Sequence, residues 1–372
     1  MSKARDLADL LDANGDVELD ALDNAPSGSG KNLIINGAMQ VAQRGTSAAN
    51  NSSDGVFVCD RWRQFHNGTG LVYDIEQSTD APDGFATSYK ATCDTAGSGT
   101  DYYQAIIQRI EAQNVQHLKY GTASAETTTL SFWVKSSETG DFTLLAFCQD
   151  GNRASNYAVT INSANTWEYK TVTITGDASG TINNDNGRGI ELWFVFSAGS
   201  DWTSGTFTGW ESYVSSKFAG HNTIDTNTAG KTFQITGVQL EVGSVASTYE
   251  HRSYGEELAA CQRYYYNSHE DGDFSDYNGQ QVVFAAGSTT FGASVTVTTG
   301  REYPTTMRAS PTVTLYHQDG TSGAVYAVHN AAKITGVTAF GPTRKGFLYG
   351  YKANAFNQGY GYYFGYTADA EL

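Results

Sequence analysis

The chain has 372 residues, with 23 Lys and Arg against 39 Asp and Glu, so its formal net charge is −16. At about 100–200 residues per domain this length predicts two or three domains, and no run reaches the ~18 consecutive apolar residues of a membrane span, so membrane insertion is not expected. The acidic balance argues against nucleic acid as a partner, because neutralising phosphates needs clustered Lys and Arg.

Residues 1–12 lack the cationic start and apolar core of a signal peptide. Cys59, Cys93, Cys148 and Cys261 are widely and irregularly spaced, with no zinc-type pairing; they read as buried, reduced thiols rather than disulfides.

Three segments follow one another. Residues 1–30 are acidic and polar, with Leu7, Leu10 and Leu11 on one helical stripe, then a flexible Pro26-Ser-Gly-Ser-Gly30 linker. An arm this polar builds no core of its own, so docking onto another protein or bundling with copies of itself is expected of it, against the alternative of a disordered tail. Residues 31–252 are dense in strand signals. Leu130, Phe132 and Val134 alternate with Ser131, Trp133 and Lys135. Residues 142–148 and 190–196 are apolar on both faces, as central strands are. Val172 and Ile174 alternate with threonines, and Phe233, Ile235, Val238, Leu240 and Val242 complete the set. With no βαβ alternation, this pattern predicts an all-β chain built on an antiparallel β-sandwich of jelly-roll type.

Residues 253–372 begin with a predicted helix over 254–265 and return to strands, forming a second, smaller β-sandwich domain. Phe291, Ala293, Val295 and Val297 mark one strand, and Val313 and Leu315 another. The last is the clearest: Tyr360, Tyr362, Phe364 and Tyr366 share one face, with Gly361, Tyr363 and Gly365 on the other. Glycine between aromatics allows close approach of a second surface, so this strand is a candidate contact between domains or subunits, with an ordinary core strand as the alternative.

A resemblance arises at several places. Asn32-Leu-Ile-Ile-Asn-Gly37, Gln43-Arg-Gly45 and Cys59-Asp-Arg-Trp62 resemble the opening of a β-sandwich found in tail-fibre and appendage proteins of marine bacteriophages. The stretch from Phe233 to Gly243, then Tyr249-Glu-His-Arg252, Tyr254-Gly-Glu-Glu-Leu258 and Cys261-Gln-Arg-Tyr-Tyr-Tyr266, is similar to its close. Ser2-Lys-Ala-Arg-Asp-Leu-Ala8 resembles the tail-attachment arm of such fibres, which gives Arg5, Leu7, Leu10 and Leu11 a role in virion attachment. Ser131-Phe-Trp-Val-Lys135 and the strand led by Trp167 are also similar to jelly-roll carbohydrate-binding modules. Many of those hold a calcium through an Asp pair before the closing strand. Here that place reads Thr236-Gly237, without the oxygen ligands calcium requires. No cofactor is therefore expected, a structural calcium being the minor alternative.

No chemistry-bearing motif points to catalysis. The seven histidines are scattered, no GxSxG, HExxH or P-loop is present, and no carboxylate pair is singled out for glycoside cleavage. The chain reads as a non-enzyme. A stacking surface for sugar has two candidates. One is the loop carrying Asp201, Trp202, Trp210, Tyr213 and His221, whose tryptophans have core capping as the alternative reading; the other is the aromatic C-terminal stretch with Tyr360 and Tyr362. Trp62, Trp133, Trp167 and Trp193 read as core. The resemblance implies a virion-located tail fibre or tail appendage, a homotrimer. It implies partners among other tail proteins through the arm, and host-surface glycan. The alternatives are a capsid or neck decoration, a connecting protein without receptor contact, and a free carbohydrate-binding module.

Overall fold

The computed structural model describes residues 30–269, 281–284, 301–328, 330–351 and 361–372. The expected arm, with Arg5, Leu7, Leu10 and Leu11, lies outside the described residues, as do Tyr360 and the strand expected over 291–297.

Strands are numbered in chain order. The first sheet has six antiparallel strands, in the order β1 (Ser47–Asn51), β4 (Val72–Ser78), β5 (Ser88–Thr95), β13 (Thr232–Val242), β7 (Thr128–Ser136), β10 (Glu168–Ile174). The second has seven, in the order β12 (Glu211–Ser212), β9 (Arg153–Ile161), β8 (Gly140–Cys148), β11 (Arg188–Ala198), β6 (Ser98–Glu111), β3 (Trp62–Thr69), β2 (Phe57–Cys59). Period-two alternation turns Leu130, Phe132 and Val134 of β7 toward Phe142 and Leu144 of β8 and Leu192, Phe194 and Phe196 of β11, in one continuous core. Its centre is aromatic: Phe132 meets Phe194 edge-on at 5.1 Å and Phe196 stacks on Phe233 at 4.4 Å. Such pairs add about 0.5–1.5 kcal/mol each beyond their area. The nearly all-β antiparallel sandwich agrees with the fold expected from sequence.

Strand β13 explains an irregularity in its own sequence. Phe233 and Ile235 face inward, and so do Val238 and Leu240, one residue out of phase. The register shifts between Thr236 and Gln239. Such a bulge inserts one residue and resets the alternation. Gly237 supplies the left-handed backbone, at φ +61°, and the ring of Phe85 lies where a Cβ would project.

Both faces of the second sheet are buried. Its outer face carries Ile107, Leu145, Phe147, Trp193 and Val195, and the segment after β11 covers it with Phe207, Phe218 and Ala219. That explains why residues 142–148 and 190–196 carry apolar residues on both faces, with Thr143 and Glu191 the polar exceptions. All four cysteines are buried and unpaired.

After β13, Ser253 caps helix α1 (Tyr254–Gln262) in a reciprocal box with Glu256. The helix is shorter than expected: a turn at Arg263 and Tyr264 leads into β14 (Tyr265–Asn267). The third sheet is centred on β23 (Gly361–Asp369). It pairs with β14, β15 (Gln281–Phe284), β17 (Thr312–Tyr316) and β18 (Ala324–Ala327), the last continuing to β19 (Ala332–Thr335). Two short pairs accompany it, β16 (Arg301–Glu302) with β21 (Gly346–Phe347) and β20 (Thr338–Phe340) with β22 (Tyr349–Tyr351). Tyr362, Phe364, Tyr366 and Ala368 of β23 pack with Met307, Leu315 and Phe347 in a separate core.

Arginines join this sheet to the sandwich. Arg263 grips buried Glu111 through Nε at 2.7 Å and Nη2 at 2.8 Å. Arg61, stacked 3.5 Å over the Tyr264 ring, pairs with Glu371, and Arg109 donates to the carbonyl of Leu372.

Candidate functional site

The loop singled out for its aromatic content packs its rings in part against the rest of the sandwich, with Trp202, Trp210 and Tyr213 half-buried. Trp202 meets Tyr103 edge-on at 5.2 Å and Phe218 at a tilt at 5.3 Å, and its indole N–H donates to the carbonyl of Asp101 at 2.8 Å. Tyr213 meets Phe147 at 4.9 Å, and burial pushes its phenol up to about 12. Trp210 lies apart from both, edge-on to Tyr120 at 5.6 Å, with its indole N–H on the carbonyl of Thr175. Asp201 is exposed and His221 half-buried, its backbone N–H on Thr143 Oγ1 at 3.0 Å. The physical reason is the apolar outer face of the second sheet, which needs a cover. Tyr362 needs correction as a stacking plate: it is 0 % exposed in the third-sheet core.

Two other tryptophans also need correction. Trp62 and Trp193 are buried as expected, but Trp133 and Trp167 are half-buried on the solvent side of the first sheet. The signal was in the alternation, since Trp133 shares its face with Ser131 and Lys135.

An open cleft of about 690 Å³ lies where the leading segment of the sandwich meets the outer face of the third sheet. Thr312, Thr314 and Tyr316 on β17 form one wall, with Thr367 and Asp369 on β23 beside them. The register sets Thr314 opposite Thr367 and Thr312 opposite Asp369, so hydroxyls and a carboxylate lie side by side. Tyr265 and Glu371 complete the lining with Arg44.

Arg44 is held rigidly. Its guanidinium lies 3.5 Å over the Tyr265 ring and 4.5 Å from that of Phe57, a stacking geometry arginine favours. It approaches Glu371 at 3.3 Å, Asp369 at 3.5 Å and Asp60 at 3.7 Å. Burial disfavours its charge, but the three carboxylates outweigh that and raise its pKa above the usual value. Asp60, fully enclosed, has its pKa raised, burial outweighing the opposing pull of Arg44. One arginine against three carboxylates disfavours an anionic ligand. Hydroxyls, a carboxylate and a flat aromatic ring suit a neutral polyhydroxylated one. Neither the chain order nor any motif flagged this cleft, because its lining comes from positions 44, 265, 312–316 and 367–371.

Among the described residues, no group of three His, Cys, Asp or Glu is arranged to hold a metal ion. Among them too, no helix is long and apolar enough to cross a membrane.

No protein-family model matches the chain, and no curated protein does. Solved structures show distant likenesses. The enzymatically active domain of tailspike protein 4 of bacteriophage CBA120 matches over 57 % of this chain at 16 % identity and a TM-score of 0.32. This chain covers 22 % of that chain's length. A family 4 carbohydrate-binding module matches over 56 % of this chain and 98 % of its own, at 15 % identity and a TM-score of 0.30. A xylan-binding module of Paenibacillus barcinonensis matches over 55 % of this chain and 100 % of its own, at 13 % identity and a TM-score of 0.26.

Proposed function

We propose that this chain is a non-catalytic, glycan-binding appendage protein of a phage particle, attached through residues 1–30 and presenting its β domains to the host surface. The cleft carries the binding half of the reading: a concavity large enough for a short oligosaccharide, lined by Thr312, Thr314 and Thr367 beside Asp369 and a fixed Arg44. The virion half is supported by the motif set around Asn32, Cys59, Phe233 and Tyr254. Many weak contacts on a repeated particle, with the chain as a homotrimer, would supply avidity without tight single sites.

The test is a glycan array probed with the full chain and with Thr314→Val, which removes a lining hydroxyl at nearly constant volume. Binding to neutral glycans that the variant loses supports the reading. An array without any binding sinks the adhesin, and a chain absent from purified particles sinks the virion role.

A further inference from the structure

The solvent face of the β7–β10 ribbon carries a group of side chains that no role described so far uses. The core takes Leu130, Phe132 and Val134, so Trp133 and Lys135 project outward, while Ser131 of the same face is covered. Tyr169 lies directly opposite Trp133 in the register, with ring centroids 5.4 Å apart at 54°. Tyr169 is 45 % exposed.

Next to this pair sits a carboxylate held by three donors. Asp80 accepts from the indole N–H of Trp167 at 3.1 Å, from Lys135 Nζ at 2.7 Å and from Gln234 Nε2 at 3.3 Å. Lys135 also lies 5.9 Å over the Trp167 ring. Asp80 nevertheless keeps its side chain 45 % exposed. These groups come from β7, the approach to β10, β13 and the loop after β4, so their convergence is tertiary. Isolated exposed aromatics are ordinary on protein surfaces. Trp167 on one fixed, open carboxylate, with the Trp133–Tyr169 pair two residues along β7 from Lys135, is a preorganised surface.

We propose that this face is a second binding site, for a neutral linear oligosaccharide, with pyranose rings laid on Tyr169 and Trp133 and hydroxyls on Asp80 and Lys135. Charge selects the class. Lys135 pairs with Asp80 and, farther across the same face, Lys90 with Glu76 at 2.8 Å. An ionic ligand would have to break one of these pairs, and a neutral one need not. A pyranose offers an apolar C–H face for the rings and a rim of hydroxyls for the carboxylate and ammonium. The surface shares no residue with the cleft, so it stands or falls independently of it.

The experiment titrates the full chain with cellohexaose, xylohexaose, laminarihexaose and mannohexaose, followed by tryptophan fluorescence and calorimetry. Saturable binding of at least one is expected. Tyr169→Ala should weaken it about tenfold, as loss of a central aromatic anchor does. The same loss is expected in a Thr314→Val background, which separates this face from the cleft. Asp80→Asn keeps size while removing charge, and should weaken binding with melting temperature preserved, which covers the case of a Tyr169 variant that folds poorly. The proposal is overturned by no saturable binding to any of the four, by binding that Tyr169→Ala leaves intact, or by a Tyr169→Ala effect on oligomeric mass in place of sugar affinity.

Discussion

Arg263→Ala is the sharpest perturbation of the junction between the sandwich and the third sheet. Glu111 is 0 % exposed at the end of β6 and accepts both hydrogen bonds of the Arg263 fork, plus one from Gln113 at 2.5 Å. Burial disfavours its charge, but the hydrogen bonds from Arg263 and Tyr264 and the charge of Arg263 hold its pKa below the usual value. Removing the arginine strands a buried carboxylate, a change that costs about 3–5 kcal/mol. We expect about 3, the lower end, because Arg263 is itself 24 % exposed and its departure admits water. The pH dependence gives the signature. A carboxylate whose folded pKa is depressed adds stability above its unfolded pKa of about 4.3 and loses it as pH falls through the folded value. In the variant, burial acts unopposed by Arg263, so protonation relieves the stranded charge. Urea unfolding followed by tryptophan fluorescence should therefore show a large gap between wild type and variant at pH 7 that narrows by pH 4. Adding Glu111→Gln should recover part of the loss. A gap under about 1 kcal/mol at pH 7, or one that does not change with pH, would refute the assignment of a buried, paired charge.

Two further outcomes are expected. Gly237→Ala places a Cβ 2.6 Å from the Phe85 ring at φ +61°; strain of this kind costs about 1–3 kcal/mol, so a melting temperature equal to wild type would show that the bulge relaxes. Glu168 accepts from the backbone N–H groups of Asn162 at 2.9 Å and Ser163 at 2.7 Å, as well as from Lys170. Burial opposes its charge, yet these bonds, led by Lys170, hold its pKa at about 2. Its contribution is complete above the ordinary carboxylate range and is lost as pH falls toward 2, so Glu168→Gln should lower the urea midpoint at pH 6 and converge on wild type near pH 2.

The sequence exposed those strands whose inward residues are uniformly apolar: β7, β8, β10, β11 and β13. Strands β3 and β6 were hidden because they turn Gln64, His66, Gln104 and Gln108 inward among the apolar residues, which blurs the alternation. The candidate site was less legible. Trp133 and Trp167 read as core from their strand or strand-edge contexts, although Trp133's own neighbours place it outside. The loop around Trp202 and Tyr213 reads two ways from sequence because aromatic residues among Gly, Ser and Thr look the same whether they cover a sheet or face a ligand. The cleft at Arg44 joins residues more than 300 positions apart along the chain, and local pattern carries no such information.

The place of β23 sets the order in which the molecule is completed during synthesis. Residues 365–369 pair with β17, residues 361–364 with β15, and both β14 and β18 lean on the same strand. The sandwich has all its strands once residue 242 has emerged. The strands of the third sheet then wait, edges open, for a central member that is translated after them all. For that interval their unpaired edges are a liability for pairing with neighbouring nascent chains. Pauses in translation after about residue 335 should therefore raise aggregation more than pauses soon after residue 252, where the sandwich already has its full set of strands.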